Sequence, residues 1–324
     1  MVARADLPQA LRLDGPFPIE RRDIAPLNVL FSETFTERYR RDGLVGVRVP
    51  PLNPAIWNYA VADARDGAML WRDARGAIAA FNIAHRSGVE GWMGPLAVRD
   101  DCQGAGHGKA VVHAGIELLK RAGCTVIGLE TMPRTMDNIG FYAGLGFAPV
   151  RLTVTLTVEA AHSPRAPRLL SLLRPAARET AVRECAALVA EVMPGFDYTR
   201  EIELTHELSI GDTLLLYDGD TLSGFALCHS APLVDGRSRE ELRVLKLVLR
   251  DEGAFDMLVV QLADLARRSA TARVAIRLQG DYGGLFRRLV SVGARVRWTD
   301  LRMVLAGYEE RRPKIGVALS NWEI

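Results

Sequence analysis

Residues 96–114 read LAVRDDCQGAGHGKAVVHA, and the change of character inside this stretch decides the fold. An apolar strand ending, Leu96-Ala97-Val98, gives way to a turn in which Gly104, Gly106 and Gly108 alternate. Lys109 then opens a helical pattern. Glycines placed this way let the backbone take positive φ and come close to a ligand. A helix starting directly behind them offers unsatisfied N–H groups and the positive end of its dipole to an anion.

Outward from this unit, strand and helix patterns alternate. APLNVLFSETFTERYRR (25–41) carries Leu27, Leu30, Phe31 and Phe35 at helical spacing, and AIWNYAVADA (55–64) predicts a second, shorter helix. AMLWRD (68–73) and AIAAFNIAH (77–85) predict strands joined through Ala74, Arg75 and Gly76, and GWMGPLAV (91–98) predicts a third. KAVVHAGIELLKRAG (109–123) sets Val111, Val112, Gly115, Leu118 and Leu119 on one helical face and stops at Gly123. CTVIGLETM (124–132) predicts a buried strand, DNIGFYAGLGF (137–147) a short helix ended at Gly146, and FAPVRLTVTLTVE (147–159) a long alternating strand.

The composition then breaks. AHSPRAPRLLSLLRP (161–175) holds Pro164, Pro167 and Pro175 among arginines, a density that suits a linker. Beyond it the order of elements returns. Residues 68–85 correspond to TLLLYDGDTLSGFALCHS (213–230), LAVRDD (96–101) to LVLRDE (247–252), 125–132 to RVAIRLQG (273–280), and 141–150 to 285–296, with an amphipathic helix over 254–269 in the expected place. The chain is therefore read as α/β (α+β), with two tandem domains, each a mixed, largely antiparallel sheet flanked by helices. Residues 1–160 form the first, 161–176 the linker and 177–324 the second. The second copy lacks the opening feature: RDDCQGAGHGKAVV (99–112) is matched only by the shorter RDEGAFDMLVV (250–260).

The chain has 324 residues, 48% hydrophobic and 25% charged, enough for two ordinary globular cores. A formal net charge of +2 gives no argument for nucleic acid or an anionic membrane surface as partner. Cys102, Cys124, Cys185 and Cys228 form no C-x-x-C pair and match no zinc spacing, so free thiols and no metal are expected. The N-terminal MVARADLPQALRLDGPFP has no continuous apolar segment of the signal-peptide kind. No apolar run reaches the roughly 18 residues of a membrane span. The expectation is a soluble cytoplasmic protein.

The spacing of the glycines separates three kinds of phosphate loop. A dinucleotide fingerprint needs G-x-G-x-x-G, and the third glycine here comes one residue early. A P-loop needs G-x-x-x-x-G-K-[ST], and Gly108-Lys109 is followed by Ala110, with no hydroxyl for Mg²⁺. What remains is Q-x-x-G-x-G, spelled Gln103-Gly104-Ala105-Gly106-His107-Gly108, between a strand ending LAV and a helix. With FYAGLGFAPV (141–150) downstream, the sequence resembles the GNAT superfamily of acyl-CoA-dependent N-acyltransferases. That family's signature is Q/R-x-x-G-x-G/A after an [LI]-x-V strand, followed later by an FY-x-x-x-GF block. The resemblance covers about 21–159 with motifs and about 177–306 by element order alone.

The resemblance implies acetyl-CoA (coenzyme A) as cosubstrate. Its pyrophosphate would lie against Gln103, Gly104, Ala105, Gly106, His107 and Gly108, with Lys109 adding charge, and its pantetheine and acyl carbonyl along Leu96, Ala97 and Val98. Tyr142 matches the family tyrosine that commonly protonates the departing thiolate. Thr135 stands where the family often has Asn, and Asn138 comes later in the same helix. Glu130, near the end of the central strand, is the leading candidate base, ahead of His85 and Glu90 beside the preceding hairpin. Trp57, Trp71 and Trp92 belong either to the acceptor pocket or to the core. The implied reaction is transfer of an acetyl group to a primary amine by direct attack. The acceptor is a small molecule or a protein lysine. Two alternatives stay open: an acyl-CoA-binding regulatory module, and a decarboxylase or hydrolase of the same fold. The second copy would pack against the first or complete its acceptor site.

Overall fold

The computed structural model describes residues 12–323, so the start of the N-terminal stretch discussed above lies outside the described residues. The first half comprises β1 (Asp14–Pro18), α1 (Ile24–Arg41), α2 (Pro54–Ala64), β2 (Ala68–Arg72), β3 (Ile78–Ser87), β4 (Glu90–Val98), α3 (His107–Arg121), β5 (Val126–Thr131), α4 (Met136–Ala143) and β6 (Phe147–Glu159). The second comprises β7 (Arg168–Leu169), α5 (Pro175–Val192), α6 (Thr199–Glu207), β8 (Gly211–Asp218), β9 (Thr221–His229), β10 (Glu241–Leu249), α7 (Phe255–Arg268), β11 (Arg273–Gln279), α8 (Gly283–Ser291) and β12 (Arg295–Leu305), with β13 (Val317–Ser320) after it. From α1 to β6 and from α5 to β12 the order is the same. Helices α5 and α6, which the sequence reading did not anticipate, stand where α1 and α2 stand in the first half.

Local chemistry accounts for the element ends. Asn53 caps α2, its side chain accepting from the Ala55 N–H at 3.0 Å, and Pro54 takes the first helical position. Gly115 lets α3 lie close on the sheet: a Cβ there would stand 2.5 Å from Met93 Sδ and 2.6 Å from Asn82 Nδ2. The proline-rich connection is folded. β7 pairs with β8, and Leu169 and Leu170 are buried.

Described strands form one sheet in the order β1-β2-β3-β4-β5-β12-β6-β11-β10-β9-β8-β7, with β13 beside β10. Only β4–β5 and β10–β11 pair in parallel, so the sheet is mixed and largely antiparallel, as expected. The joining of the two halves was not anticipated. β12 runs antiparallel between β5 and β6, and β6 runs antiparallel between β12 and β11. β6 of the first half and β12 of the second thus each enter the other half's sheet.

Alternation along the strands divides the cores. Phe81 and Ile83 of β3 join Leu27, Trp57, Leu188 and Ile202 in a core shared by α1, α2, α5 and α6. Ala80 and Ala84 face the other side, where Val112, Ile116 and Leu119 of α3 pack. Phe255, Leu258 and Leu262 of α7 build the matching core of the second half. Trp57, Trp71 and Trp92 are all buried in these cores.

Candidate active site

The site begins where two parallel strands part. β4 and β5 stay in register from Glu90 opposite Val126 to Met93 opposite Leu129, and no further. On the other edge of β4, Ala84 faces Met93 but Asn82 faces Leu96, so Gly94 and Pro95 together oppose one residue of β3. This is a β-bulge, which bends its strand. Pro95 also has no N–H to offer a neighbour. Past the bulge, Leu96, Ala97 and Val98 continue along β3, while their β5-side edge has no strand partner among the described residues.

A cavity of about 520 Å³ fills the opening. Leu96, Ala97 and Val98 form its floor, and Gln103, Gly104, Gly106, Gly108 and Lys109 close one end. Gly104 and Gly106 sit at φ 81° and 86°, in the left-handed region that side chains disfavour. Gly106 is the N-cap of α3; no side chain caps the helix and no acidic residue lies in its first turn. Ala105 and His107 belong to the loop but do not line the cavity. Gln103 holds the loop to the strand: its Nε2 donates to the Val98 carbonyl at 2.8 Å and to Asp100 Oδ1 at 2.9 Å. Arg41 of α1 donates to Gln103 Oε1 at 3.1 Å and lies 3.6 Å from Asp100, offsetting a carboxylate that would otherwise oppose a phosphate here.

Beyond Leu96 the opening continues into a second cavity of about 320 Å³. Phe35, Arg38, Leu96, Asn138 and Tyr142 line both. The second cavity is walled by both halves of the chain. Phe31, Val49, Leu52, Met93 and Met132 come from the first, and Leu233, Arg277, Trp298, Asp300, Trp322 and Glu323 from the second. An antiparallel bridge between Leu52 and Val234 ties the halves together there, and the Asn53 N–H donates to the Leu233 carbonyl at 2.9 Å.

Charges in this second cavity converge on Arg277. Its guanidinium lies 2.6 Å from Glu130 Oε2, 2.9 Å from Asp300 Oδ2 and 2.7 Å from Glu323 Oε2. Glu130 also accepts from Arg302 Nε at 2.9 Å and from the Thr153 hydroxyl. Burial raises the Glu130 carboxyl, but Arg302 and Arg277 outweigh it and hold the value at about 2. Glu130 is therefore engaged as an ionised anchor by two guanidiniums, which disfavours the role of base expected from its position, since a weakly basic carboxylate is a poor acceptor of a proton from an ammonium near neutrality. Asp300 shares one guanidinium nitrogen and accepts from its neighbour Trp298 Nε1 at 3.2 Å. Burial, then the charges of Glu323 and Glu130, push it up against Arg277 to about 7.

Tyr142 is buried between the cavities, its ring 5.2 Å from that of Phe141 and 6.1 Å from that of Phe147. Burial pushes its phenol well above the usual value. Thr135 is not in the opening. It is fully buried, and its hydroxyl donates to Asp42 Oδ2 at 2.8 Å, pinning the start of α4 to the end of α1. Asn138, one turn on, reaches both cavities instead. His85 and Glu90 are also elsewhere. His85 Nδ1 lies 2.5 Å from Asp63, and Glu90 accepts from Ser320 Oγ and Trp322 Nε1, both at 2.8 Å, inside the interface of the halves. The sequence reading missed Arg277, Asp300, Trp298, Trp322 and Glu323. One signal was present: an arginine within the otherwise apolar RVAIRLQ strand must find carboxylates when buried. Among the described residues no cluster of His, Cys, Asp and Glu is arranged to hold a metal, and no helix is long and apolar enough to cross a membrane.

Residues 33–147 match the acetyltransferase (GNAT) family. Among solved structures, a tandem GNAT protein from the clavulanic acid biosynthesis pathway superposes with TM-score 0.60 at 13% identity, covering 93% of this chain and 100% of that one. A provisionally assigned acetyltransferase from Pyrococcus horikoshii gives 0.68 at 13% identity, over 99% and 98% of the two chains. Saccharomyces cerevisiae N-myristoyltransferase with bound myristoyl-CoA gives 0.63 at 11%, over 95% and 89%. These likenesses, at 11–13% identity, are likenesses of fold, and the opened strand pair beside the glycine loop lies inside the matched segment. The segment similar to the acetyltransferase (GNAT) family thus holds the glycine loop and the parted strands, and the whole chain shares the fold of a tandem GNAT protein.

Proposed function

We propose that this protein transfers an acetyl or related acyl group from acyl-CoA to the primary amine of a small molecule, by direct attack of the amine on the thioester. One observation carries the reading. Phe35, Arg38, Leu96, Asn138 and Tyr142 border both cavities, so a thioester lying along Leu96–Val98 would end where the second cavity begins. Bringing the two reactants together in that geometry is itself a large part of such a catalyst's effect.

In this reading residues 1–160 bind the cosubstrate. The pyrophosphate meets the N-terminus of α3 at Gly104, Gly106 and Gly108, where helix dipole and backbone N–H groups favour an anion. Lys109 is exposed at the same end and adds positive charge. The unpaired edge of Leu96–Val98 receives the pantetheine arm. Tyr142 gives its proton to the departing thiolate. Residues 177–324, which carry no equivalent loop, complete the acceptor cavity through Arg277, Asp300 and Glu323, with 161–176 as the connection. The Leu52–Val234 bridge and the modest cavity favour a small amine over a lysine on a protein surface. All four cysteines are free and buried, the state a reducing cytoplasm maintains.

The test is thiol release from acetyl-CoA by the purified protein, with and without a panel of small primary amines. Release that depends on an amine is expected. Release without amine would make the protein a hydrolase, and acetyl-CoA binding with no release would make it a binding module.

A further inference from the structure

We propose that Asp300, contributed by the second copy, is the general base that takes the proton from the acceptor ammonium. The inference rests on the acyl-transfer reading above, and it fills the role that Glu130 does not.

The placement comes from the exchanged strand. On β12, Leu301 stands opposite Thr131, the last residue of β5, so Asp300 lies one step beyond the paired region. It is opposite Thr153 of β6. There it lines the acceptor cavity with Tyr142 and Leu96. Titratable and charged groups around it include Arg277 from β11, Glu130 from β5, Glu323 from the C-terminal segment and Tyr39 from α1, with Arg38 of α1 lining the same cavity. Glu130, Asp300 and Glu323 face two guanidiniums, Arg277 and Arg302, and the remaining negative excess favours an arriving ammonium. The remaining walls are apolar, among them Phe31, Val49, Leu52, Met93 and Trp322. The acceptor class that fits is an amine on a compact apolar body.

Of the three carboxylates, Glu130 is held by two arginines and a threonine hydroxyl. Glu323 is more than half exposed. Asp300 is buried, with one indole donor and one shared guanidinium nitrogen. It is the carboxylate whose surroundings allow it to gain and lose a proton near neutrality.

Asp300 takes one proton from the R–NH₃⁺ group. The freed nitrogen lone pair forms the C–N bond to the thioester carbonyl, and the carbonyl π pair moves onto oxygen. As the carbonyl re-forms, the C–S bond breaks and its pair leaves on sulfur. Tyr142 protonates the sulfur and is itself reprotonated by the second proton leaving nitrogen. The proton on Asp300 passes to water, so each turnover yields amide, CoA thiol and one H⁺.

The experiment compares Asp300→Asn with the native protein on two nucleophiles of similar shape, 2-phenylethylamine and O-benzylhydroxylamine. The first is an ammonium at pH 7 and the second is already neutral. The variant is expected to lose at least about 100-fold in kcat with 2-phenylethylamine, in line with a general base, and to lose the acid limb of its pH profile. Turnover of O-benzylhydroxylamine is expected to fall far less, because that nucleophile arrives without the proton Asp300 would take, and the dissociation constant for acetyl-CoA is expected to stay unchanged. Asp300→Glu, which restores a carboxylate, is expected to recover the acid limb. Equal losses with both nucleophiles, or full activity of Asp300→Asn on 2-phenylethylamine, would overturn the assignment. Native protein that releases no thiol with either nucleophile would overturn the transfer reading itself.

Discussion

Arg302 stands directly across from Glu130 where β12 of the second copy pairs with β5, and its Nε donates to Glu130 Oε1 at 2.9 Å. The charge at the end of one half's central strand is thus neutralised by the other half. Replacing Arg302 with Met leaves Glu130 with a single guanidinium, and breaking a buried pair from one side costs about 3–5 kcal/mol. Denaturant unfolding at pH 7 should register a loss of that size. The pH dependence has a definite sign. Glu130 lies below its unfolded value of 4.5, so its contribution is complete above that value and disappears as pH falls toward about 2. Native stability should drop more steeply across this window than that of Arg302→Met.

Tyr142→Phe removes the proposed proton donor while keeping the ring that packs on Phe141 and Phe147. Turnover should fall by about 100-fold with acetyl-CoA affinity intact. Because burial raises the phenol, its proton stays in place across the neutral range. The native rate should therefore show no alkaline decline from this group below its usual value near 10. Unchanged turnover in the variant would remove Tyr142 from the mechanism.

Gly106 caps α3 at φ 86°, and a Cβ there meets nothing within 4 Å. The cost of substitution is therefore conformational, about 1–2 kcal/mol for alanine forced into the left-handed region. Gly106→Ala should lower the unfolding midpoint and weaken acetyl-CoA binding measured by calorimetry. Gly106→Asn should be milder on both counts, since Asn visits that region more readily. Equal effects would show that side-chain bulk, not backbone conformation, matters at this turn.

The fragment 1–160 should not fold alone. In it, β5 and β6 lose the strand that separates them, and β6 also loses β11. Long strands with unpaired edges are templates for association. Expression of the fragment should yield aggregate, and co-expression with 161–324 should restore soluble material. A cooperative thermal transition in the isolated fragment would contradict this.

What could be read locally was read well. The glycine turn falls between β4 and α3 because positive φ and close approach are properties of glycine itself, and the 3.6-residue spacing of Val111, Val112 and Leu119 is visible without a partner. Strand neighbours are another matter. β6 and β12 both look like long alternating strands, and nothing in either says which strand lies beside it. The ion pairing of Glu130 was hidden for the same reason. Its surroundings are set by Arg277 and Arg302, which lie 147 and 172 residues away along the chain. Thr135 was aligned to a cofactor contact by its distance from Tyr142, while its hydroxyl is engaged by Asp42, 93 residues away along the chain.

The crossing of β6 and β12 has a consequence for how such a protein can change. Each half is to the other what a subunit is to an obligate dimer, so neither can be deleted even though only one keeps the phosphate loop. The half without the loop is then free to vary where it faces the second cavity. In the proposed reaction, substitutions at Arg277, Asp300 or Glu323 would redirect the choice of amine, while residues 96–109 stay untouched and continue to hold the same acyl donor.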